Sequence, residues 1–245
     1  MRLYKTTAIV LQSVPYREAD VLLTLYAPAR GKIRALAKGV RRPKSRLRGG
    51  VQPLTQSSFV LYAGRTLDTV TQCQPEATFP RIHAELERWA YANYLAELLL
   101  ACIGGSEESP ALFALLLAAL HLLEDEEPAL VARFFAARLL VLLGYGPELS
   151  RCAACGRAVT GDVLTVGAEG LLCQECATAQ TGGGRLSRRS LAALEYLMRA
   201  RPATLGRVRL GEAVLEELET VLDFWLGRHL ERPLKSVAFL HGLKR

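Results

Sequence analysis

Three observations predict an α+β protein with more than one domain. Short segments of alternating apolar and polar residues fill residues 1–80, a helical period follows, and four paired cysteines interrupt the helical part. Five short strands in 80 residues close most simply as a small antiparallel barrel of the OB type. We therefore predict a five-stranded OB-type β-barrel at the N-terminus, then an all-helical domain over residues 81–149 and 182–245, with a four-cysteine zinc finger inserted at residues 150–181.

The predicted strands are rich in β-branched and aromatic residues and alternate between apolar and polar positions. Proline and glycine clusters separate them, and no amphipathic helical pattern lies between them. The longest connection is a loop at residues 39–50. The strands are predicted at residues 4–14, 20–27, 32–38, 57–62 and 66–74.

Beyond residue 80 the apolar residues recur with the period of an α-helix. Ser109 before Pro110, and Ser187 farther on, are predicted N-caps. The segments are too apolar to be independent, so we predict one helical domain, which the insertion rejoins at a glycine hinge, Gly182 to Gly184. Helices are predicted from residue 80 to the glycines at 104–105, at 111–123, from 128 to 144, at 191–199, after 211, and at 234–241.

Positive charge is concentrated at the N-terminal end. Residues 1–80 contain 13 Lys/Arg and 4 Asp/Glu, and between Val21 and Leu67 ten basic residues occur without a single acidic one. This asymmetry predicts a polyanionic partner, either a nucleic acid or an anionic membrane surface. A solvated loop without a partner is the alternative.

Hydropathy and cysteine usage bear on the compartment. No apolar run reaches the roughly 18 residues that span a bilayer, and the apolar run near the N-terminus is too short for a signal peptide. Six cysteines, four of them in close pairs, suit a metal site in a reducing compartment better than a disulfide framework. We expect a soluble cytoplasmic protein without a membrane partner.

The paired cysteines have the spacing C-x2-C-x17-C-x2-C. That spacing is typical of a four-thiolate zinc site, in which each pair grips one side of a tetrahedral ion. Four protein ligands leave no open position for water, so we expect one structural Zn²⁺ and no catalytic metal. Two disulfides or a decayed site are the alternatives. The predicted ligands are Cys152, Cys155, Cys173 and Cys176.

The basic residues of the third strand and the following loop form the predicted nucleic-acid surface. Alternation along the strand places its cations on one face and Ile33, Ala35 and Ala37 on the core side. The loop arginines are spaced, and flexible enough, to follow successive phosphates. Five aromatic residues nearby, Tyr4, Tyr16, Tyr26, Phe59 and Tyr62, are candidates for stacking on unpaired bases, although most aromatics in a small barrel belong to its core. The predicted surface comprises Lys32, Arg34, Lys38, Arg41, Arg42, Lys44, Arg46 and Arg48.

Enzymatic chemistry is not indicated. The sequence has no phosphate-binding glycine loop, dinucleotide fingerprint, metalloprotease motif or nucleophile elbow, and its four histidines have no ligand or triad spacing. We predict a non-enzymatic protein with no catalytic residue. The alternative function is an RNA-binding or transcription-associated adaptor, because OB barrels and zinc ribbons recur together in nucleic-acid machinery.

Several segments resemble the RecO family of recombination mediators. They are Thr6-Thr-Ala-Ile-Val-Leu11, Tyr16-Arg-Glu-Ala-Asp20, Lys38-Gly-Val-Arg-Arg-Pro-Lys-Ser45 and residues 47–54, followed by a helical part that the paired cysteines interrupt. The resemblance covers essentially the whole chain. The N-terminal motifs are fairly specific, whereas the cysteines alone would fit many zinc ribbons.

The resemblance implies a role in DNA repair and recombination. RecO proteins bind single- and double-stranded DNA, anneal complementary strands and, with RecR, promote RecA loading onto strands coated with single-strand-binding protein. It thus implies DNA, RecR and single-strand-binding protein as partners, RecA indirectly, and association with the bacterial nucleoid during repair. Family members also recognise the tail of single-strand-binding protein, for which Arg133 and Arg138 are the candidate contacts in this chain.

Overall fold

The computed structural model describes residues 2–104, 108–178 and 183–243. The chain forms two compact units. We call them the barrel unit, Met1–Asp125 with Leu234–Arg245, and the finger unit, Glu126–Pro233.

Five strands close into a barrel in the order β1-β2-β3-β5-β4. Neighbouring strands pair antiparallel except β3 and β5, which run parallel through the pairs Ala35↔Asp68 and Ala37↔Val70. The prediction of a five-stranded OB-type barrel is confirmed. The strands are β1 Leu3–Tyr16, β2 Asp20–Ala27, β3 Gly31–Ala37, β4 Gln56–Tyr62 and β5 Asp68–Ala77.

Alternation along the strands fills the barrel. In β3, Ile33, Ala35 and Ala37 are buried, whereas Arg34 and the following Lys38 are exposed, as the period of two predicts. The buried cluster in the barrel consists of apolar side chains from all five strands and from the connection between β3 and β4. Its members are Ala8, Val10, Val21, Leu23, Leu25, Ala27, Ile33, Ala35, Ala37, Val40, Val51, Phe59, Leu61 and Val70.

Four helices complete the barrel unit. Ser109 caps the third of them as predicted, since its hydroxyl accepts a hydrogen bond from the backbone N–H of Leu112 at 3.2 Å. The Glu97 carboxylate accepts the N–H groups of Lys235 and Ser236 and so ties the last helix of the chain to the second. The helices are α1 Pro80–Ala84, α2 Leu86–Cys102, α3 Pro110–Asp125 and α8 Lys235–Leu243.

The finger unit contains a three-stranded sheet, and its strand order is β7-β6-β8. Ser187 caps α6 as predicted, through its hydroxyl and the N–H of Ser190. The indole of Trp225 donates to the carbonyl of Gly167 at 2.9 Å and so fixes α7 to the sheet. The elements are α4 Pro128–Leu142, β6 Val163–Gly167, β7 Gly170–Leu172, α5 Gln174–Ala177, β8 Arg185–Ser187, α6 Arg188–Arg199 and α7 Glu212–Gly227.

The division of the helices differs from the prediction of a single helical domain. The first three helices and α8 belong to the barrel unit, whereas α4, α6 and α7 belong to the finger unit with the cysteine segment. The finger sheet also continues past the predicted boundary, because β8 pairs with β6. That boundary, between residues 181 and 182, and the first glycine of the predicted hinge lie outside the described residues. No helix in the described part of the chain is long and apolar enough to cross a bilayer.

Two adjacent glycines offer a test of how the connection between β3 and β4 is packed. A Cβ atom on Gly50 would lie 2.7 Å from the Sγ atom of Cys73, whereas one on Gly49 would have no neighbour within 4 Å. We expect Gly50→Ala to lower the free energy of unfolding by about 1–3 kcal/mol, the usual cost of overpacking, and Gly49→Ala to leave it nearly unchanged. Urea denaturation of both variants measures the difference, and equal midpoints would contradict the packing described.

Candidate nucleic-acid interface and metal centre

The predicted basic surface begins on the outer face of β3. Arg34 and Lys38 are exposed and Lys32 is half-buried. The register pairs Thr24 of β2 with Arg34, and Tyr26 with Lys32. Directly opposed residues project from the same face of a sheet. The strand therefore presents its cations outward while its other face fills the barrel.

The basic loop, residues 39–50, is braced at its start by the β1–β2 hairpin. The N–H of Gly39 donates to Asp20 Oδ1 at 2.8 Å, and the N–H of Arg41 donates to the carbonyl of Ala19 at 3.0 Å. Gly39 has a φ of +68°, a conformation that favours glycine. Side-chain and backbone hydrogen bonds therefore hold the backbone at this end of the loop.

The far end of the basic loop is held as well. The guanidinium of Arg48 donates to the carbonyls of Arg41 and Arg42 at 3.4 and 3.3 Å. The hydroxyl of Ser57 donates to the carbonyl of Gly50 at 2.8 Å. Arg48 thus contributes to the conformation of the loop in addition to its charge.

The cations of this surface have no carboxylate partner in the described part of the chain. Seven of the eight are exposed. Within the described residues, none of the eight forms an ion pair with an acidic side chain. Unpaired guanidinium and ammonium groups on a fixed backbone are available to phosphate oxygens. The structure thus brings all eight predicted residues onto one strand and the loop that follows it.

The five candidate aromatic residues differ in whether a base could reach their rings. Tyr26 and Phe59 are buried in the barrel unit and cannot meet a base. Tyr4 is occupied on one side by Arg30, whose guanidinium carbon lies 3.9 Å from the ring centroid, and its hydroxyl donates to Asp68. Burial, together with that hydrogen bond, raises the pKa of Tyr4. Tyr62 is half-buried on β4, which β5 separates from β3 in the barrel.

The four predicted ligands form one cluster. Their sulfur atoms all lie within 4.8 Å of one another, and Cys155 Sγ is 3.7 Å from Cys173 Sγ. A tetrahedral ion with metal–sulfur bonds of about 2.3 Å would separate the sulfurs by about 3.8 Å. The four thiols could therefore hold a metal ion. A cluster of this geometry gives the ion four protein ligands, as a structural site requires.

Local hydrogen bonds favour the thiolate form that binds metal. Backbone N–H groups, first that of Cys173, lower the pKa of Cys152 to about 6. The Arg157 side chain lowers the pKa of Cys155. Neighbouring sulfurs, first that of Cys173, raise the pKa of Cys176 to about 12. A divalent cation at the centre would oppose that rise by offsetting the crowded negative charge.

Two residues that the sequence reasoning missed support the cluster. Arg157 donates from Nε to Cys155 Sγ at 3.3 Å, and its two Nη atoms donate to the carboxylate of Glu175 at 2.8 and 2.6 Å. Arg157 follows the first cysteine pair and Glu175 lies inside the second, so the fork joins the two halves of the site. Opposite charges placed within two residues of the two C-x2-C pairs were the available signal.

The two arginines predicted to contact a protein tail differ in how accessible they are. Arg133 is 3% exposed, and its guanidinium contacts Glu219 Oε2 at 2.6 Å and the carbonyl of Leu215 at 3.2 Å. Arg138 is half-buried and donates to the carbonyl of Met198 at 2.6 Å. A cation at the rim of an apolar pocket must be accessible, and Arg133 is not. The contact predicted for Arg133 is therefore wrong, whereas that of Arg138 stays a prediction. Both side chains fasten α4 to its neighbours.

The buried pair yields a testable expectation. Glu219→Gln leaves the Arg133 guanidinium buried without its counter-charge, and we expect the free energy of unfolding to fall by about 3 kcal/mol. The matched control is Glu169→Gln, which removes the exposed partner of Arg228 and should cost under about 1 kcal/mol. Urea denaturation followed by circular dichroism compares the two variants. Equal losses of stability would contradict the structural role assigned to Arg133.

Two family models match this chain, and the boundary between their matches lies between the barrel and the helices. Residues 1–79 match the family described as "Recombination protein O N terminal", and residues 83–238 match "Recombination protein O C terminal". A relative described as "DNA repair protein RecO" from Pelotomaculum thermopropionicum is 40% identical over 241 residues, which are 98% of this chain and 94% of the relative.

Two further relatives carry the same description. The protein from Moorella thermoacetica is 38% identical over 98% of this chain and 91% of its own length. The protein from Acetivibrio thermocellus is 34% identical over 100% of this chain and 99% of its own length. These matches agree with the closed barrel and the helical part that follows it. The chain belongs to the RecO family of DNA repair proteins.

Proposed function

We propose that this protein is a DNA-binding recombination mediator. It binds single- and double-stranded DNA, anneals complementary strands and, with RecR, promotes RecA loading onto strands coated with single-strand-binding protein. The observation that carries the proposal is the braced basic surface on an OB-like barrel, whose cations have no carboxylate partners among the residues that the structure describes. Family membership supports the role in repair, and the basic surface supports DNA as the ligand.

The proposed action is electrostatic and involves no covalent step. Lysine and arginine side chains displace the counterions that are condensed on the phosphates of a bound strand, and the affinity comes largely from the release of those counterions. Because the backbone of the basic loop is already ordered, binding does not pay for ordering it. Cations on a fixed loop can therefore hold one strand by its backbone while its bases stay free to pair with a second strand.

We infer that the ion held by the four cysteines is zinc. Four thiolates in a tetrahedral set suit Zn²⁺, which has no redox chemistry of its own and accepts this geometry readily. Cys152, Cys155, Cys173 and Cys176 would hold it, and it would supply folding free energy to the finger sheet. With all four positions filled by protein, such a site would not activate water.

The first test replaces Arg41, Arg42 and Lys44 together with alanine. Single strands lose about 0.7 in the log–log salt slope for each phosphate contact removed, so we expect the slope to fall by about 2 and the affinity to fall at low salt. Binding is measured by fluorescence anisotropy at several salt concentrations. Annealing of complementary oligonucleotides coated with single-strand-binding protein is measured beside it and should be lost.

A matched variant separates local contacts from net charge. Arg199, Arg201 and Arg207 are exposed in the finger unit, and replacing all three with alanine changes the net charge equally. We expect this control to keep its salt slope and its annealing activity. Unchanged binding by a folded first variant would refute the proposed surface. A wild-type protein that binds RNA in preference to DNA would favour an RNA-binding adaptor instead.

The second test concerns the metal. Arg157→Lys keeps the charge but removes the planar fork that joins Cys155 to Glu175. Residues that support metal ligands typically contribute about 10- to 100-fold to affinity, so we expect at least about a 10-fold loss of zinc affinity. Release of zinc to a chelating dye measures the loss, and the thiolate absorption of the cobalt-substituted protein reports the geometry.

The control for this variant lies beside the first cysteine. Arg151 forms an exposed ion pair with Glu148 and makes no hydrogen bond to a sulfur atom in the described part of the chain. Arg151→Lys should therefore release zinc at the wild-type rate. Equal release from the two variants would contradict the support assigned to Arg157. Absence of zinc from the purified wild-type protein would contradict the identity of the ion.

A further inference from the structure

One aromatic side chain lies at the edge of the basic surface with its ring accessible. Tyr16 ends β1 and is 37% exposed, and Val14 on the same strand is 52% exposed. Neither residue contributes to the buried cluster in the barrel.

The strand register places Tyr16 on the same face as the cations of β3. Alternate residues of β1 face the same way, and they pair as Gln12↔Thr24, Val14↔Leu22 and Tyr16↔Asp20. On the other side of β2, Thr24 pairs with Arg34 and Leu22 pairs with Leu36. Opposed residues share a face. The outer face of β1, β2 and β3 therefore carries Tyr16 and Val14 at one side and Arg34 at the other.

Tyr16 is also joined to the basic loop. Its partner in the ladder is Asp20, whose carboxylate accepts the N–H of Gly39. Two residues on, the guanidinium of Arg41 donates to the carbonyl of Glu18 at 3.3 Å, within the same hairpin turn. Neighbouring strands lie about 5 Å apart. The ring is thus one strand spacing from the residue whose carboxylate anchors the loop.

The remaining aromatics of the barrel lack this combination of exposure and position. Two are buried, Tyr4 is covered by Arg30, and Tyr62 lies on a strand that does not pair with β3. The guanidinium carbon of Arg17 lies 5.3 Å from the Tyr16 ring centroid. Arg17 has a φ of 55°, the left-handed region that a residue with a Cβ rarely adopts. Local strain of this kind is frequent at binding sites.

We propose that Tyr16 is the side chain on which an unpaired base of the bound strand stacks. The inference rests on the proposed DNA-binding function and assigns the discrimination between single strands and duplexes to one residue. The basic loop holds the phosphates of either form, because phosphate contacts carry no information about pairing. A base inside a duplex is already stacked between its neighbours, so only a single strand can offer one to the ring.

The experiment compares three ligands of one sequence: a single strand, the same strand with abasic sites, and the duplex. Tyr16→Ala should weaken binding of the normal single strand at least about 5-fold, the lower end of what a stacked base contributes. It should leave the abasic strand and the duplex unaffected. Tyr16→Phe should bind like the wild type, because stacking needs the ring and not the hydroxyl. Tyr16→Trp should show fluorescence quenching with the normal strand only.

A matched control and the loop variant separate the possible failures. Tyr196 is 43% exposed on α6, and Tyr196→Ala should bind all three ligands normally. The Arg41, Arg42 and Lys44 variant should weaken all three, and if it does not, the proposed DNA surface is wrong. If that variant weakens binding while Tyr16→Ala does not, the stacking assignment alone is overturned. Equal losses of Tyr16→Ala on the normal and abasic strands would also overturn it.

Discussion

Parallel pairing of β3 with β5 is the constraint on which the proposed DNA-binding face depends. It closes the barrel through three residue pairs, from Ala35↔Asp68 to Ala37↔Val70. Because β5 lies beside β3, β4 cannot. The chain must therefore cross from the end of β3 to β4, which pairs with β1. The basic loop is part of that crossing. The strand order therefore requires a long connection between β3 and β4. The charged residues of the basic loop lie on the solvent-exposed side of that connection.

The hydrogen bonds that brace the basic loop lower the conformational entropy cost of binding a strand. A loose loop would have to be ordered by each strand that it bound, at a conformational entropy cost of roughly 1–2 kcal/mol per residue. Here Asp20 holds the start, Ser57 holds the end, and Arg48 holds the middle through backbone carbonyls. The conformational entropy of the loop is therefore lost when the barrel folds and not when a strand binds. The loop can then use most of its electrostatic attraction for binding phosphates.

Much of this arrangement could be predicted from the sequence, because local periods and fixed spacings determine it. Alternation located the strands, Ser109 and Ser187 located two helix starts, and the C-x2-C pairs located the ligands. The burial of Arg133 could not be predicted, since its partner Glu219 lies far along the chain and an arginine within an apolar helix fits either a core or a surface. The grouping of α8 with the barrel unit could not be predicted either, because α8 is held by Glu97 of α2, which lies far away in the sequence. Tyr16 could not be separated from Tyr26 until the register was known, because both are aromatic residues in alternating segments.

Net charge alone would have been a poor guide to the proposed DNA surface. The finger unit is also rich in arginine, yet several of its guanidinium groups already have carboxylate partners, as in Arg133 with Glu219 and Arg157 with Glu175. A cation that is already paired must lose its partner before it binds a phosphate, and that exchange gains little. The cations of β3 and the basic loop have no such partner among the described residues. Because Arg199, Arg201 and Arg207 of the finger unit are exposed as well, free charge alone does not distinguish the basic surface. It is distinguished by eight cations within residues 32–48, where no acidic residue occurs.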